Sequence, residues 1–272
     1  MSLFGEPESI SWVARLEFYR AFYNPLIVVV VFYLLFIAFV NGVGSRYFFR
    51  YFEGEAFDVV TRVGLDNVFY ITSIICTIAA MFLGVTSIVG DRSDNILKVV
   101  LTKPLYIRDV IIGKFLGICA FILTLAFTTL ATCSIMEMFF YGLPGLMGEF
   151  MLRFGSLVLI LFFECSLVSG IAMLVGLVFK NLLDSVAVTV TLFFIDWYGQ
   201  VLTDRMGLLY TFISPWRLYF NAFEGGGHFL LTDTTVAYAS WLNAALPYIG
   251  LMLLWILVVL AINCFVSISM EE

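Results

Sequence analysis

The sequence has 272 residues, of which 62% are hydrophobic and 12% charged, and its formal net charge is −6 at pH 7. Ordinary soluble domains are about half apolar and a quarter charged, so this composition defines an integral membrane protein and excludes a soluble enzyme or binding module. The length suits one all-α membrane domain of about six spans, and an acidic chain without a basic tail is not a nucleic-acid binder.

Residues 1–11 are acidic rather than basic and precede no small-residue cleavage site, so no secretory leader is expected. Residues 10–23 carry Trp12, Phe18, Tyr19, Phe22 and Tyr23 with Arg15, Glu17 and Arg20. Aromatic rings with a polar edge favour the headgroup zone, which predicts an interfacial helix on the cytosolic leaflet within residues 1–24. It serves either as a plain anchor or in a functional contact, and the two are compatible. Residues 25–43 form the first span and residues 45–66 a mixed-charge outer loop. Residues 67–89 form the second span and residues 110–135 the third. The third opens with Gly113-x-x-x-Gly117, a spacing that lets two helix backbones approach closely. Residues 136–148 read as an outer turn. Residues 151–179 form the fourth span, with Ser166/Gly170 and Ala172/Gly176 in helical register for packing on a neighbour. A cytosolic turn, residues 180–184, leads to the fifth span, 185–202. Residues 203–243 are an outer segment with apolar stretches broken by Gly225-Gly226-Gly227, and residues 244–266 are the sixth span.

Between the second and third spans lies the most informative polar stretch, residues 90–114. It holds Lys98, Lys103 and Lys114, three of the four lysines, with Arg92 and Arg108. Ile96, Leu97, Val100 and Leu101 recur at helical spacing with Lys98 off that face. Ser93, Asp94 and Asn95 each suit the N-cap, and Pro104 stops the helix because it lacks an N–H and clashes with the preceding turn. Two readings fit: a basic loop that sets orientation, or a short amphipathic helix gripped by a cytosolic partner. Six spans place both termini on one side. Putting them inside assigns Arg15, Arg20, Arg92, Lys98, Lys103, Arg108, Lys114 and Lys180 to the cytosol, and Arg46, Arg50, Arg62, Arg153, Arg205 and Arg217 to the outside.

This stretch resembles the loop between the second and third spans of ABC transporter permeases of the ABC-2 type. Asp91-Arg92, Ile96-Leu97, Val100-Leu101-Thr102-Lys103-Pro104, Arg108 and Gly113-Lys114 follow that family's order, with Asp94-Asn95 in place of its Gly-Thr. Arg15-Leu16-Glu17-Phe18 followed by Asn24-Pro25 resembles the run that leads into the family's first span, and Ser214-Pro215 resembles a Ser-Pro before its last. The resemblance implies that residues 90–109 form a coupling helix docking on a separate ATP-hydrolysing subunit, with Asp91, Arg92, Ile96, Leu97, Lys98, Leu101, Lys103, Pro104 and Arg108 at the contact. It also implies a second permease subunit, identical or different, in the plasma membrane, and short helices dipping inward from residues 203–243.

The chemistry missing from the chain agrees. Gly113-Lys114 is followed by Phe115 and has no glycine five residues before Gly113, so no phosphate-binding loop exists here and ATP is expected only through the partner. His228 is the single histidine, which excludes multi-histidine metal sites, and no G-x-S-x-G elbow occurs. The chain is therefore not expected to be an enzyme or to bind a cofactor or metal. Cys76, Cys119, Cys133, Cys165 and Cys264 all lie in or beside apolar segments and read as packing residues. Cys133, Met136 and Met138 form a trio of soft-metal ligand types for which packing is the plainer reading. Glu164 stands out near the middle of the fourth span. A mid-membrane charge costs about 3 kcal/mol on insertion scales, so Glu164 either lines a substrate path or is hydrogen-bonded within helix packing. Asp196 is expected nearer the outer surface and solvated. The reading is the membrane subunit of an ATP-driven exporter. A non-transporting membrane scaffold or assembly factor, or a secondary transporter, are the rivals, although no internal repeat favours the last.

Overall fold

The computed structural model describes residues 7–48, 57–93, 107–179, 181–199, 210–228 and 230–268. All regular structure among them is helical: α1 Pro7–Tyr23, α2 Pro25–Phe48, α3 Phe57–Ser93, α4 Ile107–Tyr141, α5 Met147–Val178, α6 Leu182–Tyr198, α7 Pro215–Phe223 and α8 Tyr238–Ile268. Among the described residues, five helices (α2, α3, α4, α5 and α8) are long and apolar enough to cross a membrane. The 17 residues of α6 rise about 26 Å, just short of a 30 Å hydrocarbon core.

The helices outrun the apolar runs that announce them. The turn expected over residues 136–148 shrinks to residues 142–146, because α4 continues to Tyr141 and α5 starts at Met147. Part of the outer loop expected at residues 45–66 is helical as well, since α2 ends at Phe48 and α3 begins at Phe57. The apolar run is set by membrane thickness. The helix runs on until its backbone groups find other partners, and Gly142, at φ 101°, ends α4 in the left-handed region open to glycine.

α4 and α5 are largely buried at the centre, whereas α2 and α8 expose most of their apolar surface at the perimeter. Lipid offers no hydrophobic drive for helices to associate, so close backbone approach and interhelical hydrogen bonds carry the packing. The two small-residue pairs of α5 serve three neighbours. Ser166 accepts from the Cys119 thiol of α4 at 3.3 Å, and the Gly170 carbonyl accepts from Asn263 of α8 at 2.9 Å. Ala172 instead meets Gly84 of α3, where an added Cβ would lie 2.8 Å from the alanine methyl.

The Gly113-x-x-x-Gly117 spacing is taken up by α1. A Cβ at Gly113 would lie 2.7 Å from Val13 Cβ and 2.9 Å from the Ile10 carbonyl oxygen; one at Gly117 would lie 2.5 Å from the Ala14 oxygen. Further along, Phe121 meets Phe18 and Phe22 edge-on, with centroids 6.1 and 5.4 Å away. α1 thus runs beside the first third of α4 in step with it, while Trp12, Leu16, Tyr19 and Tyr23 remain exposed on its other face. Asn24 breaks the helix, its side chain accepting from Leu26 N–H at 3.0 Å, and Pro25 opens α2 where a missing N–H costs nothing.

Short helix α7 is enclosed by the bundle. Ser214 caps it, accepting from Arg217 N–H at 3.1 Å, with Pro215 in the first turn. Phe69 of α3 stacks on Tyr219 and Phe223 at 5.5 and 4.9 Å. The chain turns back through Gly225–Gly227, all at positive φ, and is then held by buried Arg153 of α5. That guanidinium donates to the carbonyls of Leu231 and Val236 and pairs with Glu149 at 2.5 Å.

Substituting Gly117 by Leu forces a side chain into the α1 backbone. Overpacking of this kind costs about 1–3 kcal/mol. The expected result is a lower unfolding temperature in detergent and faster proteolysis within residues 7–23, with Gly145→Leu, which meets open space, unchanged in both.

Candidate functional site

At the foot of the segment between α3 and α4, four charged side chains from three helices meet. Asp91, near the end of α3, accepts from Arg20 of α1 at 2.5 Å on one oxygen and pairs with Lys114 of α4 at 2.5 Å on the other. Glu17, one turn before Arg20, lies 3.6 Å from Lys114 and 3.9 Å from Arg20. Lys114 also donates to the Ser87 carbonyl. Two acids balance two bases, and Lys114, Glu17 and Asp91 are all buried while Arg20 reaches the surface. Ion pairs held this far from water exert more force than surface pairs and are costly to break one partner at a time.

The distances rank the members. Asp91 touches both cations and is the hub; Glu17 has only the longer contacts. Burial therefore outweighs attraction at Glu17 and pushes its carboxyl above the ordinary value, with Lys114 and Arg20 opposing the shift and Asp91 adding to it.

Of the residues expected at the coupling contact, Asp91 is this hub, and Arg108 lies 3.9 Å from Asp109 at the start of α4. Arg92 is within α3, but its side chain lies outside the described part. Ile96, Leu97, Lys98, Leu101, Lys103 and Pro104 all lie outside the described residues. Arg20 and Lys114 were not singled out by sequence reasoning for this site. A signal was present for each: Arg20 stands at i+3 from Glu17, and Lys114 is a lone cation between two packing glycines of an apolar helix, which demands a partner.

A second polar locus lies where α3, α5, α6 and α7 meet. Glu164 is 1% exposed, and its Oε1 accepts from Thr77 of α3 at 3.2 Å. It lines a cavity of about 30 Å³ with Thr77, Asp196, Trp197 and Trp216 among its walls, room for about two water molecules. Asp196 does not stand free in solvent as expected. Its carboxylate accepts from Trp216 N–H at 3.1 Å and Tyr210 OH at 3.3 Å. The first turn of α7 leaves backbone N–H groups exposed, and a carboxylate there satisfies one while countering the helix dipole. Cys133 is fully buried with its thiol turned to Glu137 at 3.7 Å, and Met136 packs against Gly42. No cluster of three or more His, Cys, Asp or Glu suited to a metal occurs among the described residues.

The helices and these buried polar contacts define a multi-pass α-helical membrane protein. The family model described as ABC-2 family transporter protein matches residues 11–267, and the chain belongs to that family, as a membrane permease subunit of an ABC transporter whose family generally works with an ATPase partner. No curated protein matches the chain.

Removing the hub leaves Lys114 buried without its nearest anion. Asp91→Asn should cost about 3–5 kcal/mol, read as a large drop in unfolding temperature in detergent, while Asp91→Leu with Lys114→Leu together should cost less than either alone. Glu17 gives a pH signature. With its folded value raised, its contribution is greatest below the ordinary 4.5 and falls as pH rises through the raised value. Glu17→Gln should flatten the decline in unfolding temperature above pH 4.5; an unchanged slope would show that the decline has another source.

Proposed function

We propose that the chain is the membrane subunit of an ATP-driven exporter and takes its energy from a separate ATPase docked on residues 93–108. In this reading α6 is a sixth crossing, slightly short and suited to a locally thinned bilayer. α1 lies at the cytosolic interface, both termini are cytosolic, and two permease subunits in the plasma membrane enclose the substrate path. Residues 203–243 dip inward from outside. The segment with Ile96, Leu97, Val100 and Leu101 fills a groove on the ATPase, with Lys98 and Lys103 at the rim, where charge affects association more than packing.

The observation that supports this best is the buried ion network. It ties α1 to both helices flanking residues 94–106, so a push on that segment arrives at three helices together. The cavity beside Glu164 is water-sized, which favours a substrate path between two subunits over one threading a single chain.

Two measurements test the reading. The purified chain should show no ATP hydrolysis alone and should co-purify with an ABC ATPase. Leu97→Asp should abolish the co-purification and Lys98→Ala weaken it a few-fold; a normal complex and normal transport with Leu97→Asp and Leu101→Asp combined would falsify docking through this segment. In intact cells, Lys103→Cys should resist a membrane-impermeant thiol reagent that labels His228→Cys. Labelling of Lys103→Cys from outside would invert the topology.

A further inference from the structure

Glu164 carries an unmet demand. One carboxyl oxygen is held by Thr77, whereas Oε2 has no hydrogen-bond partner although the residue is 1% exposed. An unpartnered buried acceptor costs more than a made hydrogen bond gains, and this one belongs to a residue lining a cavity. The cavity's other acid, Asp196, is already committed to Trp216 N–H and Tyr210 OH. No Lys or Arg lines the space among the described residues. The missing complement is a hydrogen-bond donor, and a positively charged N–H gains more there than a neutral donor, since a charge-assisted bond is the stronger one in low dielectric.

The walls agree. Trp197 and Trp216 stand edge to face with centroids 5.3 Å apart, and Phe193 joins them. Aromatic faces attract ammonium groups. Two carboxyls make the same space hostile to anions. The room, about 30 Å³, fits a compact head group and no more. Ile78, half exposed at the protein surface, forms an outer wall, and α6 buries only Ser185, Thr189 and Phe193 along its length. A head group can thus enter sideways between α3 and α6 while its tail stays outside in the bilayer.

We propose that this cavity binds the primary ammonium head of a lipophilic amine, whose N–H donates to Glu164 Oε2 beside the paired rings of Trp197 and Trp216. This gives the permease reading a ligand class, and rests on that reading only for its physiological use.

The test uses the whole chain in phosphatidylcholine nanodiscs without an ATPase, with radiolabelled octylamine and octanol compared by equilibrium dialysis at pH 7. Octylamine should bind saturably at one per chain above the background partition of empty discs, and octanol should show partition only. Glu164→Gln should weaken amine binding at least tenfold. Ile78→Trp, which closes the outer wall and leaves Glu164 in place, should slow or abolish it. Equal behaviour of amine and alcohol on the wild-type chain would overturn the proposal, as would wild-type affinity in a folded Glu164→Gln. Should Glu164→Gln not fold, the wild-type comparison and Ile78→Trp decide. Loss of amine binding leaves ATPase co-purification untouched, and loss of co-purification leaves amine binding untouched, so the two readings fail separately.

Discussion

The bundle depends on one carboxylate with two cations. Asp91 stands near the end of α3, and the side chains that neutralise it come from α1 and α4. None of the three can shift far without leaving a charge buried and uncompensated. Desolvation makes such contacts poor sources of net stability but strong sources of specificity in geometry, and here they fix where α1 lies. The close approach at Gly113 and Gly117 brings α1 against α4, and the ion pairs decide its register along that groove. A family-like loop between two spans thereby gains a defined foot, even though the segment at its tip lies outside the described residues.

At the other end of the molecule the constraint is backbone hydrogen bonding. A nine-residue helix such as α7 leaves nearly half of its backbone N–H and C=O groups without intrahelical partners at one end or the other. The chain answers with Ser214 and Asp196 at the start, and with Trp241, which donates to the Phe223 carbonyl, at the end. Arg153 then holds two carbonyls of the returning strand of chain. The same arrangement that satisfies α7 brings Trp216 beside Glu164, so the position of the buried carboxyl and the capping of a short helix are one problem.

Much of this was legible in the sequence. Spans are announced by apolar length, and the places of α2 to α5 and α8 followed from it, although their ends did not: Glu137 and Tyr141 look like loop residues because they are polar, yet Glu137 is fully buried in α4. The Gly113/Gly117 spacing correctly announced a close neighbour but could not say which. Asp196 misled for a related reason. Next to Trp197 and Tyr198 it reads as an interface residue, and its true partner, an N–H of α7, lies 20 residues away in a contact that no local pattern encodes. Lys114 and Arg20 were visible as charges but not as partners, because an ion pair between helices leaves no periodicity.

The length of α4 has a mechanical consequence. Its 35 residues rise about 52 Å, well beyond the hydrocarbon core of a bilayer, and no proline interrupts it, whereas α8 contains Pro247. A continuous helix of that kind behaves as a stiff rod. If it pivots near its centre, a displacement of a few ångströms at Lys114 reappears with opposite sense near Glu137, at nearly full amplitude. α8, weakened at Pro247, would absorb the same displacement by bending. The two helices would therefore answer one push differently, and the spacing between them at the Glu137 end of α4 would change even though neither leaves the membrane.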